Sequence, residues 1–115
     1  MTSPQETFNY VAFFPQTGRI KVGITNNIQK RMSYYRQEAR RHDLGHVTFT
    51  CGRKHYKGLA RIVENELCSA LKTWAVPRHR EWFVGDYEAF QAVTNLTRRM
   101  QAQMREAFGM EADHA

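Results

Sequence analysis

Acidic residues are scarce in this chain. Eleven Asp and Glu stand against seventeen Lys and Arg over 115 residues, which leaves a formal charge of +6 and a pI near 9.7. That deficit excludes an acidic face built for cationic partners. It favours polyanions, because phosphates neutralised by Lys and Arg release counterions. Cysteine is nearly absent as well: Cys51 and Cys68 are the only two, at no paired spacing. A disulfide framework and a CxxC metal knuckle are thereby excluded, and reduced thiols in a cytoplasmic protein are expected. No apolar run is long enough to span a bilayer, so no membrane partner is expected. MTSPQETFNY lacks a basic start followed by an apolar block, so no secretory signal is expected either. There are no repeats, no low-complexity stretch, and nothing like a zinc finger or a helix-turn-helix. One domain over 1–115 is expected, with a core at about 7–108 and frayed ends.

What is present reads as a short series of strands and helices. Residues 7–14 are an aromatic strand, and PQTG at 15–18 is a turn. RIKVGIT at 19–25 alternates, with Ile20, Val22 and Ile24 on one face and Lys21, Gly23 and Thr25 on the other. The short connection predicts an antiparallel hairpin. Asn26 or Asn27 can cap a helix whose buried stripe is Ile28, Met32, Tyr35 and Ala39. The other faces of that helix carry Lys30, Arg31, Arg36, Arg40 and Arg41. HVTFTC at 46–51 predicts a third strand, and a helix is expected over 58–74 with Leu59, Val63, Leu67, Ala70 and Trp74 inward. PRHREWF is a connector ending in a short extended piece. Asp86 caps a last helix that reaches Phe108, with Phe90, Val93, Leu96 and Met100 inside. The fold class expected is α+β: a small three-stranded, mostly antiparallel sheet flanked by helices in the order ββαβαα.

The corner between the second strand and its helix draws attention. Glycine inside a strand marks close approach of a ligand or another backbone. Gly23 shares a face with Lys21, and Arg31 lies one position off the buried stripe of the helix. A lysine and an arginine converging on bare backbone suit a phosphate. The same residues also fit a solvated strand face beside a solvated helix face.

NYVAFF, PQTG and RIKVGITNNIQKRM together resemble the opening of the GIY-YIG nuclease family. Tyr10 falls on the tyrosine of the first tripeptide and Gly23 on the glycine of the second. Asn27, Ile28, Lys30 and Arg31 fit the helix start, with Arg31 on the catalytic arginine. Tyr35 occupies a position often held by His or Tyr. VENELCSAL at 63–71 resembles the apolar–E–x–x–L helix and puts Glu64 on the metal-binding glutamate. RIKVGIT with EWF at 81–83 is most similar to the compact phage and bacterial branch. The resemblance covers about residues 8–84. It departs from the family pattern in three places. The first tripeptide reads Phe8-Asn9-Tyr10, Lys21 stands where the second has its tyrosine, and His79 and Arg80 follow Pro77 and Arg78 where many members have an asparagine.

The resemblance implies a GIY-YIG-like fold and metal-dependent hydrolysis of DNA phosphodiesters in a bacterial or phage-infected cell. Glu64 would hold one divalent ion, Mg²⁺ or Mn²⁺, that keeps several waters. Arg31 would clamp a non-bridging phosphate oxygen. Tyr10 would take a proton from the attacking water. A free phenol, with a pKa of about 10, is a poor base at neutral pH. Lys21 and Arg31 are expected to lower it, with phosphate contact as the other task open to Lys21. Glu66 rivals Glu64, because the two flank the apolar stripe of their helix on opposite sides.

Gly23, Lys30, Tyr35, Arg36, Arg78, His79 and Arg80 complete the expected nucleic-acid contacts, with double-stranded DNA the expected partner. Tyr35 also fits the core, and Glu81 fits a cap or a salt bridge. With no appended DNA-reading module, weak sequence preference is expected, or a homodimer or partner that supplies it. Two further readings stay open: a catalytically inactive nucleic-acid-binding or phage regulatory and anti-defence protein, and a small protein-interaction module.

Overall fold

The computed structural model describes residues 6–79 and 81–108. Its elements run β1 (Glu6–Phe14), β2 (Arg19–Thr25), α1 (Ile28–Arg41), β3 (Thr48–Tyr56), α2 (Lys57–Leu71), β4 (Val76–Pro77), β5 (Trp82–Val84) and α3 (Tyr87–Phe108). The strands form one sheet in the order β3-β1-β2-β5-β4, and every pair is antiparallel. The α+β class and the expected hairpin are present, but the sheet has five strands rather than three. The two additions are β4 and β5, at the two ends of the segment read as a connector; β5 covers the short extended piece expected at its end, and β4 was not expected.

The hairpin turn depends on Gly18. Its backbone sits at φ +72°, where L-residues are strained, and its N–H donates to the Phe14 carbonyl at 2.9 Å. The Gly18 carbonyl then accepts from Gly85 N–H at 2.8 Å, which locks the end of the hairpin onto the β5 side.

Alternation along β1 divides the molecule into layers. Val11 and Phe13 face α2 and α3, where they join Ile20, Val22, Val63, Leu67, Leu71, Phe83, Phe90 and Val93 in the main core. Tyr10, Ala12 and Phe14 face the other way, onto Tyr35 and Ala39 of α1. Burial of these apolar side chains is the dominant favourable term, at about 1.5–3 kcal/mol for each large one. Polar ties fix the layers in register. Buried Asn9 donates to the Ala60 carbonyl of α2 at 2.9 Å, and the hydroxyls of Thr50 and Thr94 lie 2.6 Å apart between β3 and α3.

Caps set the helix starts. Asn27, in extended backbone, accepts from Lys30 N–H at 3.0 Å, and Asp86 accepts from Ala89 N–H at 3.0 Å. Of the expected inward set of α2, Val63 and Leu67 are buried and Ala70 is half-buried, the side chain of Leu59 lies outside the described residues, and Trp74 is corrected. The helix stops at Leu71, a turn carries the chain outward, and Trp74 is 45 % exposed while Ala75 takes the buried place. No described helix is long and apolar enough to cross a membrane.

Candidate functional site

Tyr10 stands directly opposite Gly23 in the β1–β2 ladder. Because Gly23 has no side chain, the phenol ring lies across it; a methyl there would sit 2.5 Å from Tyr10 Cζ and 2.8 Å from Cε2. The open spot expected beside Lys21 is therefore filled. Gly23 cradles the tyrosine and does not bare its backbone to a phosphate.

The Tyr10 hydroxyl meets that of Tyr35 at 2.9 Å, and either can donate. The Tyr35 ring packs edge-on against Phe14 and Trp82, at centroid distances of 6.0 and 6.1 Å. Both tyrosines are buried. Tyr35, expected among the nucleic-acid contacts and equally suited to the core, lies in the core, and its polar tip is engaged inside the protein.

Arg31 is exposed near the start of α1. Its positive charge acts on both phenols and favours their ionised forms. Burial nevertheless holds both phenols above their ordinary value of 10.0, and for Tyr10 the bond to Tyr35 pushes the same way. The expectation that Lys21 and Arg31 make Tyr10 acidic is overturned. Arg31 pulls downward but is outweighed, and Lys21 is occupied elsewhere. Its Nζ lies 3.2 Å from Glu81 Oε1 and 5.7 Å from the centre of the Trp82 ring.

Glu64 comes from α2, in the opposite layer. It is buried, whereas Glu66 is exposed, so burial separates two residues that helical phase could not. Arg61 Nη1 is 3.9 Å from its carboxylate. Burial first, then the charge of Glu81, push the Glu64 carboxyl above its ordinary 4.5, while Arg61 and Lys21 pull it down. Its charge also reaches Tyr10. Tyr10, Arg31 and Glu64, drawn from β1, α1 and α2, thus share one electrostatic neighbourhood, with Glu81 and Lys21 on its border.

The remaining expected contacts lie around this centre. Lys30 and Arg31 line a cleft with Asn27 and Tyr34. Arg36 sits over the Phe49 ring at 5.3 Å. Arg78 and His79 line a second cleft with Arg19 and Trp82. Arg80 lies outside the described residues. Arg19 and Tyr34 belong to these clefts and went unnoticed in the sequence; the one available signal was that Tyr34 is aromatic yet stands beside the buried stripe rather than on it.

A divalent ion is tested against this donor set. Among the described residues no three His, Cys, Asp or Glu side chains gather as a metal cluster. Glu64 is the buried hard oxygen donor here, and it is disfavoured as an anion by burial and by the neighbouring Glu81. A cation would relieve both penalties. Such a site fits Mg²⁺ or Mn²⁺ held by one carboxylate and water, and does not fit zinc, which takes several N or S ligands. Cys68, also on α2, has its thiol pushed up to about 11, chiefly by burial, which keeps it a protonated thiol at neutral pH.

Fold and site together define a small basic α+β domain with a buried phenol pair beside an exposed guanidinium in one layer and a buried carboxylate on the helix of the other. The family model for the T5orf172 domain matches residues 7–106, and the chain belongs to that family, a phage-associated domain of the GIY-YIG-like endonuclease-associated type. No curated protein and no solved structure matches the chain.

Proposed function

We propose that this protein is a metal-dependent endonuclease that hydrolyses DNA phosphodiester bonds with a GIY-YIG-type centre. The observation that carries the reading is the buried Tyr10–Tyr35 hydroxyl contact at 2.9 Å, beside α1 with its exposed Arg31 and with the buried carboxylate of Glu64 on α2. The positive charge of the chain and its place in a phage-associated family point the same way.

Arg31, exposed and next to the phenols, would bind a non-bridging oxygen of the scissile phosphate as negative charge builds there. Glu64 would hold the divalent ion, which when bound supplies charge stabilisation to the phosphoryl group and the leaving oxygen. Tyr10 would accept the proton of the attacking water as its own proton passes to an ionised Tyr35, 2.9 Å away. Arg31 favours that ionised form of Tyr35. Lys21 and Glu81 would hold Trp82 and the edge of the centre in place.

The reading is tested by incubating the protein with supercoiled plasmid and Mg²⁺ or Mn²⁺, beside Arg31→Ala and Glu64→Ala. Nicking by the parent and its loss in both variants is the expected result. Undiminished nicking in both variants would remove the site assignment.

A second reading, a nucleic-acid-binding protein that keeps the architecture without cleaving, is favoured by the one feature that opposes catalysis: both phenols are held protonated by burial. Salt-dependent DNA binding with no nicking in either metal would establish it.

A further inference from the structure

Three clefts join end to end along one side of the molecule. The first, of about 360 Å³, lies between Arg19, Arg78, His79 and Trp82. It shares Arg19 and Trp82 with a second of about 130 Å³, which extends past Tyr34 to His42 just beyond α1. Tyr34 in turn borders a third, of about 290 Å³, with Lys30 and Arg31. Linked by these shared residues, the clefts make up a groove from β5 to the start of α1. Its charged side chains are basic apart from Glu38, and that carboxylate is bonded to Arg41 Nη1 at 2.7 Å.

Two aromatic rings interrupt this row of cations. Tyr34 is 50 % exposed and takes no part in the core; its ring meets Tyr35 at a centroid distance of 5.3 Å. Trp82 is partly exposed and is held from within by Tyr35 and Phe14. Burial of the core explains Trp82 in part and Tyr34 not at all. A DNA duplex could meet the Tyr34 hydroxyl with a phosphate but would leave its ring face without a base to stack on, because duplex base faces are stacked inside. An unpaired strand offers both components at once, phosphates to the cations and base faces to the rings.

We infer that this groove binds single-stranded DNA, with a base stacked on Tyr34 and the flanking phosphates held by Arg19, Lys30 and Arg31. The inference rests on the nuclease reading for the identity of the polymer, and it departs from the expectation of a double-stranded partner. Since Tyr34 adjoins Tyr35, the strand runs beside the Tyr10–Tyr35 pair.

Fluorescence anisotropy tests this with a labelled strand of about 12 nucleotides and its duplex, both in EDTA so that nothing is cut. The single strand is expected to bind about tenfold more tightly than the duplex. Tyr34→Ala should weaken single-strand binding by about tenfold, Tyr34→Trp should restore it, and duplex affinity should change by less than about twofold. An unchanged melting temperature for Tyr34→Ala excludes a merely structural effect. Equal or tighter binding of the duplex, an equal loss on both forms, or no binding of either overturns the inference. Failure of the nuclease reading is a separate outcome: strand binding intact in EDTA, with no plasmid nicking in either metal.

Discussion

The hydroxyl of Tyr10 on β1 and that of Tyr35 on α1 lie 2.9 Å apart, inside the protein and next to the charge of Arg31. Neither phenol can change its protonation without altering the other. The acid–base chemistry of this centre therefore belongs to a pair.

Cleavage should accelerate steeply with pH. Burial raises both phenols above 10.0, so the reactive ionised form is a small fraction at neutral pH and grows about tenfold for each pH unit below that value. Initial rates of plasmid nicking in Mg²⁺ should climb from pH 7 to pH 9.5 with no plateau. Tyr35→Phe should lower kcat by about 100-fold or more while KM stays close to the parent's. A bell-shaped profile centred near neutrality would assign the base to another group. Folding stability carries the opposite sign. Above pH 10 the unfolded chain sheds phenolic protons that the folded chain retains, so stability declines there, and the decline should be shallower in Tyr10→Phe.

Glu64→Gln should make the free protein more stable at neutral pH. The folded carboxyl has its pKa raised from 4.5, so the unfolded chain loses this proton first and stability falls as pH climbs through that window. Neutral Gln escapes the penalty. Melting temperatures should favour the variant at pH 7 and converge with the parent's below about pH 4, where both side chains are uncharged. Added Mg²⁺ should raise the melting temperature of the parent and leave the variant unmoved. A variant that melts lower than the parent at pH 7 would show that the carboxylate is stabilised by its neighbours and carries no strain for a cation to relieve.

Gly23→Ala should cost about 1–3 kcal/mol of stability, because the added methyl enters the space held by the Tyr10 ring and the buried ring has no room to retreat. Urea denaturation would measure the loss. Nicking should fall further than the stability loss alone accounts for, since the displaced phenol no longer meets Tyr35. A variant of parental stability and activity would mean that the ring is free to move.

Local pattern made much of this architecture readable. Ile20, Val22 and Ile24 alternate over a full strand, Asn27 and Asp86 mark helix starts by their capping chemistry, and the stripe from Ile28 to Ala39 keeps helical phase. β4 escaped because two residues are too few to show a period, and the extended piece at β5 could not be placed in the sheet because β5 is defined by its distant pairing with Arg19–Lys21. Trp74 kept the phase of α2 on paper, but the helix ends three residues before it. At the centre, the charges of Arg31 and Glu64 could be read from side-chain type, whereas desolvation of Tyr10 could not. That term depends on what covers the ring, and the cover comes from Tyr35 and Gly23, both remote in the chain.

The β2–β5 pairing has a consequence for synthesis. Tyr10, Arg31 and Glu64 are all translated before Glu81 and Trp82, yet the wall formed by Lys21, Glu81 and Trp82 cannot close until β5 takes its place beside β2. A chain interrupted between Glu64 and Glu81 would carry every reactive group and still lack the frame that aligns them. The order of translation thus delays assembly of this frame until nearly three quarters of the polypeptide exists.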